Sequence, residues 1–149
     1  MPQSLSSILI HLVFSTKHRK RLISSVIEPE LHAYLAAVFH ECKSPALAIG
    51  GHEDHIHALF ALSRSATVAD VVEEVKKRSS KWIKTKDETL RQFQWQAGYG
   101  AFSIGQSNVA ALRRYIAVQK EHHRRRTFRD ELVALLRKYV EYDERYLWD

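Results

Sequence analysis

Ala46-Leu47-Ala48-Ile49-Gly50-Gly51-His52-Glu53-Asp54-His55-Ile56-His57-Ala58-Leu59-Phe60-Ala61-Leu62 is two apolar runs around a polar, glycine-bearing segment. The pattern predicts a hairpin: Ala46 to Ile49 as a short strand, Gly50 to Asp54 as a five-residue turn, His55 to Leu62 as the return strand. In a strand, residues i and i+2 point to the same side. Ile56, Ala58, Phe60 and Leu62 then form a uniformly apolar side that should face a core. His55, His57, Leu59 and Ala61 share the opposite side, where two imidazoles can converge on one cation. A bare His-x-His also arises by chance. The tight turn before it and the clean alternation around it favour a site.

Working outward, residues 6–15 are β-branched and apolar and predict a buried strand. Residues 28–43 read as a helix, with Pro29 in the first turn and Leu31, Tyr34, Leu35, Val38 and Phe39 at helical spacing. A second helix starts near Thr67, with Asp70 three residues on, and buries Val68, Val71, Val72, Val75, Trp82 and Ile83. Residues 93–104 predict extended chain broken by Gly98 and Gly100. Ser107 or Asn108 caps a helix over about 107–123, and Thr127 caps a last helix over about 127–139. The acidic, aromatic end from Glu141 docks as a loop or turn. The order is βαββαβ followed by helices. It predicts an α+β, ferredoxin-like fold, an antiparallel sheet with helices packed on one face. With five Gly, three Pro and no repeat, residues 1–149 read as a single domain.

Of the 149 residues, 45% are hydrophobic and 27% charged, which excludes a disordered tail or a collagen. The one cysteine, Cys42, cannot form a bridge within the chain, so a reducing cytoplasmic setting is expected. No apolar run approaches the ~20 residues of a membrane span, and the N-terminus lacks the features of a signal peptide. The net charge of +6 favours a polyanionic partner.

On the helix over 107–123, Tyr115, Gln119 and His122 fall on one stripe, beside the apolar Val109, Leu112 and Ile116. A lone helical tyrosine usually packs its ring and leaves its hydroxyl in water. Beside His55 and His57 the reading changes. Two imidazoles and the Gln119 amide oxygen make a three-ligand site with positions open for water and a phosphate oxygen, which the Tyr115 hydroxyl could attack. Basic residues supply the substrate's counter-charge in three clusters: Lys17 to Arg21, Lys76 to Lys84, and Arg113 to Arg129. The candidate DNA contacts are Lys17, Arg19, Arg21, Lys77, Lys81, Arg113 and Arg114. Trp95, Tyr99 and Phe102 offer stacking surfaces, although aromatic residues more often fill cores.

The opening Ile10-His11-Leu12-Val13-Phe14-Ser15-Thr16-Lys17-His18-Arg19, the Asp54-His55-Ile56-His57 run, the segment Trp95 to Ser103 and the segment Arg114 to His123 together resemble one family. With the Tyr146-Leu147-Trp148 ending, the likeness covers essentially the whole chain. It is to the small HUH transposases of the insertion-sequence 200/605-like kind, which carry a single catalytic tyrosine. The resemblance implies His55 and His57 as the metal pair, Tyr115 as nucleophile and Gln119 as third protein ligand. It implies Mg²⁺ or Mn²⁺ as cofactor, with the tyrosine helix on the sheet face opposite the other helices. It further implies cleavage and rejoining of single-stranded DNA at hairpin-bearing element ends through a 5′-phosphotyrosine. The partners implied are that DNA and a second copy of the chain, as a homodimer with shared sites. His122 and His123 match the pattern without a clear role, and His11 is read as structural. The rival readings are a domesticated hairpin-binding module without chemistry, and a histidine-dependent nucleotide hydrolase or phosphodiesterase. The latter usually needs another His or a His-x-Ser/Thr pair in step, where this chain has Leu59.

Overall fold

The strand and helix patterns resolve into β1 (Leu9–Ser15), α1 (Glu28–Glu41), β2 (Ala46–His52), β3 (His55–Ala61), α2 (Val68–Ile83), β4 (Gly100–Ile104), α3 (Val109–Ala117) and α4 (Phe128–Tyr139). The computed structural model describes residues 3–119 and 126–139. Four strands form one sheet in the order β2-β3-β1-β4, with every pairing antiparallel. The architecture is the expected α+β one. In the central pair, Val13 lies opposite His57 and Phe14 opposite Ile56.

The alternation of β1 and β3 sorts their side chains onto two layers. Leu12, Phe14, Ile56, Ala58 and Phe60 are buried under α1 and α2, with Leu31, Leu35, Phe39, Val71, Val72, Val75 and Ile83 from those helices. Burying each such side chain contributes about 1.5–3 kcal/mol. Thr67 opens α2 by accepting a hydrogen bond from the Asp70 amide at 3.1 Å. Val13 and Phe102 face the other way and pack against Phe128, Leu132 and Leu136 of α4. Thr127 accepts from the Asp130 amide at 3.2 Å, so α4 starts as its cap predicts.

Several boundaries differ from the sequence expectation. The hairpin turn is two residues, Glu53 and Asp54, because β2 runs through both glycines to pair Gly50 with His57, Gly51 with Ile56 and His52 with His55. Glycine in a strand often marks a close backbone approach rather than a turn. At Gly50 that neighbour is α3, since an added Cβ would sit 2.3 Å from the Ile116 carbonyl oxygen. In the segment 93–104 only Gly100 to Ile104 forms a strand. Before it, Phe93 and Trp95 turn into the core edge-on to one another, and the chain crosses the end of β1 through Lys17 N–H to Gln94 O and Gln96 N–H to Ser15 O. The first strand starts at Leu9 rather than residue 6, and the tyrosine helix at Val109 after a short 3-10 turn over Gln106–Asn108. The tyrosine helix ends at Ala117, and the expected part beyond residue 119 and the end from Glu141 lie outside the described residues. Among those described, no helix is long and apolar enough to cross a membrane.

Candidate active site

β3 holds His55 and His57 on the face turned away from α1 and α2, and both side chains are fully buried. Asp54 immediately before them accepts a hydrogen bond from His55 Nδ1 at 2.8 Å. A carboxylate only accepts, so this bond puts the proton on Nδ1 and leaves a lone pair on Nε2. That lone pair faces Gln119 Oε1 at 3.0 Å and Glu131 Oε1 at 3.8 Å. His57 Nε2 lies 2.8 Å from the same Glu131 oxygen. The ligand atoms of His55, His57 and Glu131 all lie within 4.8 Å of one another.

This donor set fits a divalent cation. An imidazole lone pair and an amide oxygen in contact repel each other unless a proton or a metal cation lies between them. Metal bonds of about 2.0–2.2 Å bring neighbouring ligand atoms to about 3 Å separation. Two imidazoles, an amide oxygen and a carboxylate therefore form a four-residue cradle, one residue more than the sequence reading named.

Tyr115 stands at the margin of this cradle. Its ring meets His57 edge-on at 5.7 Å between centroids, and its hydroxyl donates to Glu131 Oε2. Burial, then the hydrogen bond to Glu131 and its charge, push the phenol well above its ordinary range, so the tyrosine is held protonated. α3 ends at Ala117, short of the expected helix over 107–123, and Gln119 lies just past its C-cap Val118 with its side chain buried. Helix α3 reaches its place because Gly50 offers no side chain to Ile116. One chain thus supplies the histidine pair, the amide and the tyrosine. The sharing of sites between subunits that the resemblance implies is not required to assemble them.

Glu131 was not anticipated. Its signal was a carboxylate at the i+3 position of the Phe128, Leu132, Leu135, Leu136 stripe, where an apolar residue is expected. Phe128 stacks on the His55 ring, with centroids 4.6 Å apart and planes 16° apart. Leu132 and Leu136 anchor α4 on Val13 and Phe102, and an added Cβ at Gly100 would lie 3.6 Å from Leu132 Cδ1. Glu131 is 1% exposed. α4 covers the histidine nitrogens, with Glu131 closing the cradle.

His11, read as structural, is a neighbour of the site. Its Nε2 is 2.8 Å from His57 Nδ1 in a buried contact. Burial, then the neighbouring His57, pull its pKa down to about 3, so the ring is neutral at ordinary pH. His122 and His123 lie outside the described residues.

The candidate DNA-contact residues do not form one surface. Lys77 and Lys81 are exposed on α2, on the sheet face opposite α3, which carries the exposed Arg113 and Arg114. Lys77 faces Glu74 at 4.0 Å, and Arg21 faces Glu53 at 3.8 Å. Lys17 and Arg19 belong to the turn after β1, where His18 and Arg19 adopt left-handed backbone angles of 58° and 56° in φ. A cleft of about 360 Å³ there is lined by Lys17, Lys20, Thr89, Gln92 and Gln94, among others. Leu22 and Phe93, which belong to the core under α1 and α2, also line it, and no residue of the cradle does. Trp95 and Phe102 are core residues, whereas Tyr99 is exposed.

A family described as "Transposase IS200 like" matches residues 4–119. The chain belongs to this family of transposases. Among solved structures it is similar to a candidate transposase from Deinococcus radiodurans, with 18% identity over 78% of this chain and 93% of that one and a TM-score of 0.62. It is also similar to a REP-associated tyrosine transposase bound to a REP hairpin, with 14% identity over 81% of this chain and 71% of that one and a TM-score of 0.62. At these identities the two structures speak for the fold. No curated protein shows a significant match to the chain.

Proposed function

We propose that the protein cleaves and rejoins single-stranded DNA at hairpin-bearing element ends, with Tyr115 as nucleophile. The observation that carries the proposal is the meeting of the Tyr115 hydroxyl, the two histidines, Gln119 and Glu131 in one buried cradle. Family membership and the hairpin bound to one similar structure support the same substrate class.

His55, His57, Gln119 and Glu131 would hold the cation, Mg²⁺ or Mn²⁺. When bound, it would polarise the scissile phosphate and counter the charge that develops on it. Glu131 Oε2 already accepts the Tyr115 hydroxyl and is placed to take its proton as the oxygen attacks phosphorus. The bond from phosphorus to the 3′ oxygen breaks, leaving a 5′-phosphotyrosine and a free 3′-hydroxyl. The ester is conserved in energy, so another 3′-hydroxyl can reverse the step without ATP. Lys17 and Lys20, which line the cleft after β1, suit the phosphate backbone of a bound strand.

We read the site as acting in cis, within a chain whose residues 1–149 form one domain. A homodimer that exchanges tyrosines would require α3 to leave Gly50. The covered histidines favour one other reading, a hairpin-binding module without chemistry. Incubating the protein with single-stranded element ends and a divalent cation separates the two. A covalent adduct that survives SDS, and is lost in Tyr115→Phe, supports the transposase. Tight hairpin binding with no adduct under any metal supports the module.

A further inference from the structure

We infer that His11 is a positioning residue for His57, an imidazole partner that holds the ring by Nδ1 so that its Nε2 faces the cation cradle. The inference rests on the cation-site reading above and adds a residue to it.

The two histidines of the cradle are held in different ways. His55 Nδ1 is held by Asp54 Oδ1 at 2.8 Å, and a carboxylate permits one tautomer only. His57 Nδ1 is held by His11 Nε2, also at 2.8 Å. An imidazole nitrogen either donates or accepts, so this contact serves both tautomers of His57 with the same heavy-atom positions. The strand register brings the rings together. Val13 pairs with His57 and His11 with Leu59, so His11 lies diagonally across from His57 on the same face. The rings stack with centroids 5.1 Å apart and planes 21° apart, and His11 is 3% exposed. Packing alone would be met by an aromatic hydrocarbon at this position, as Phe102 does beside it.

Two arrangements follow. Without a cation, His57 Nε2–H donates to Glu131 Oε1, and His57 Nδ1 accepts from His11 Nε2–H. With a cation, His57 needs its lone pair on Nε2 and its proton on Nδ1. The change balances without net charge. The His11 Nε2 proton passes to His57 Nδ1, the His57 Nε2 proton leaves to solvent, and His11 takes a proton from solvent at its own Nδ1. Each ring carries one proton before and after.

The test compares His11→Phe with His11→Gln in the full chain. Mn²⁺ affinity is read from the free-ion EPR signal, folding from circular dichroism, and the His57 tautomer from long-range ¹H–¹⁵N NMR correlations without metal. The Phe variant keeps a planar ring but no hydrogen bond, and should bind Mn²⁺ about 10- to 100-fold more weakly while staying folded. The Gln variant can donate or accept and should recover most of that loss. In wild type without metal, His57 should show the Nε2–H tautomer that Glu131 accepts, with a ¹⁵Nδ1 shift of a hydrogen-bonded lone pair, and in the Phe variant that shift should move to the value of a free lone pair. Wild-type affinity in a folded Phe variant, or a Gln variant as weak as Phe, overturns the inference. If wild type binds no Mn²⁺, the cation reading fails, and the tautomer spectra still judge His11. If the Phe variant does not fold, a wild-type His57 Nδ1 with the ¹⁵N shift of a free lone pair overturns it.

Discussion

Gly50→Ala should damage catalysis through a helix that the substituted residue does not belong to. The new Cβ would lie 2.3 Å from the Ile116 carbonyl oxygen and 2.7 Å from its Cγ2. The side chain could rotate away, but the carbonyl belongs to the backbone of α3 and cannot yield alone. The helix must retreat by roughly 0.7 Å or more, or β2 must bend by as much, and overpacking of this kind costs about 1–3 kcal/mol. Tyr115 immediately precedes Ile116, so the nucleophile moves with it. A misplacement near 1 Å typically costs about 100-fold in rate. The assay is single-turnover cleavage of a single-stranded element end, alongside urea denaturation followed by circular dichroism. The expected result is a folded protein, destabilised by about 1–3 kcal/mol, that forms the adduct about 100-fold more slowly. Wild-type cleavage together with wild-type stability would refute the argument, because α3 would then not be docked on Gly50 in the working enzyme.

Tyr115→Phe should abolish the SDS-resistant adduct and leave hairpin affinity nearly intact, since only the attacking oxygen is lost; electrophoretic mobility shifts measure the binding. His55→Ala and His57→Ala should each remove cation-dependent cleavage, Gln119→Ala should weaken it, and cleavage that persists in excess chelator would sink the metal reading. Glu131→Gln should weaken Mn²⁺ binding in an EPR titration by about 10-fold or more, and unchanged affinity would remove Glu131 from the ligand set. The depressed pKa of His11 has a sign in stability. Below about pH 6.5 the unfolded chain takes up a proton that the folded chain refuses, so stability is whole above that pH and falls by up to about 1.4 kcal/mol per unit as pH drops toward 3. Urea midpoints across this window should fall less steeply in His11→Phe than in wild type. Mixing Tyr115→Phe with His57→Ala protein should restore no cleavage if sites act in cis, and recovery would show that subunits exchange α3.

Strand and helix periodicities carried much of the site in the sequence. Alternation put His55 and His57 together on one face of β3 with an apolar face behind them, and the i to i+4 spacing put Tyr115 and Gln119 on one helix stripe. These relations are local, because backbone geometry over a few residues decides them. What faces that surface is not local. Glu131 lies 74 residues from His57, and nothing in the period of α4 says which strand its apolar stripe will cover. His11 is 46 residues from His57, and their contact exists only because β1 pairs with β3 in one register. Gly50 reads as a turn residue along the chain and becomes a docking surface only when α3 arrives. Sequence patterns specify faces, and from them the two histidines, Gln119 and Tyr115 could be set beside one another as a site but not placed. Long-range packing, set by where glycine leaves room and where apolar stripes match, decided that they share one buried cradle and that a carboxylate closes it.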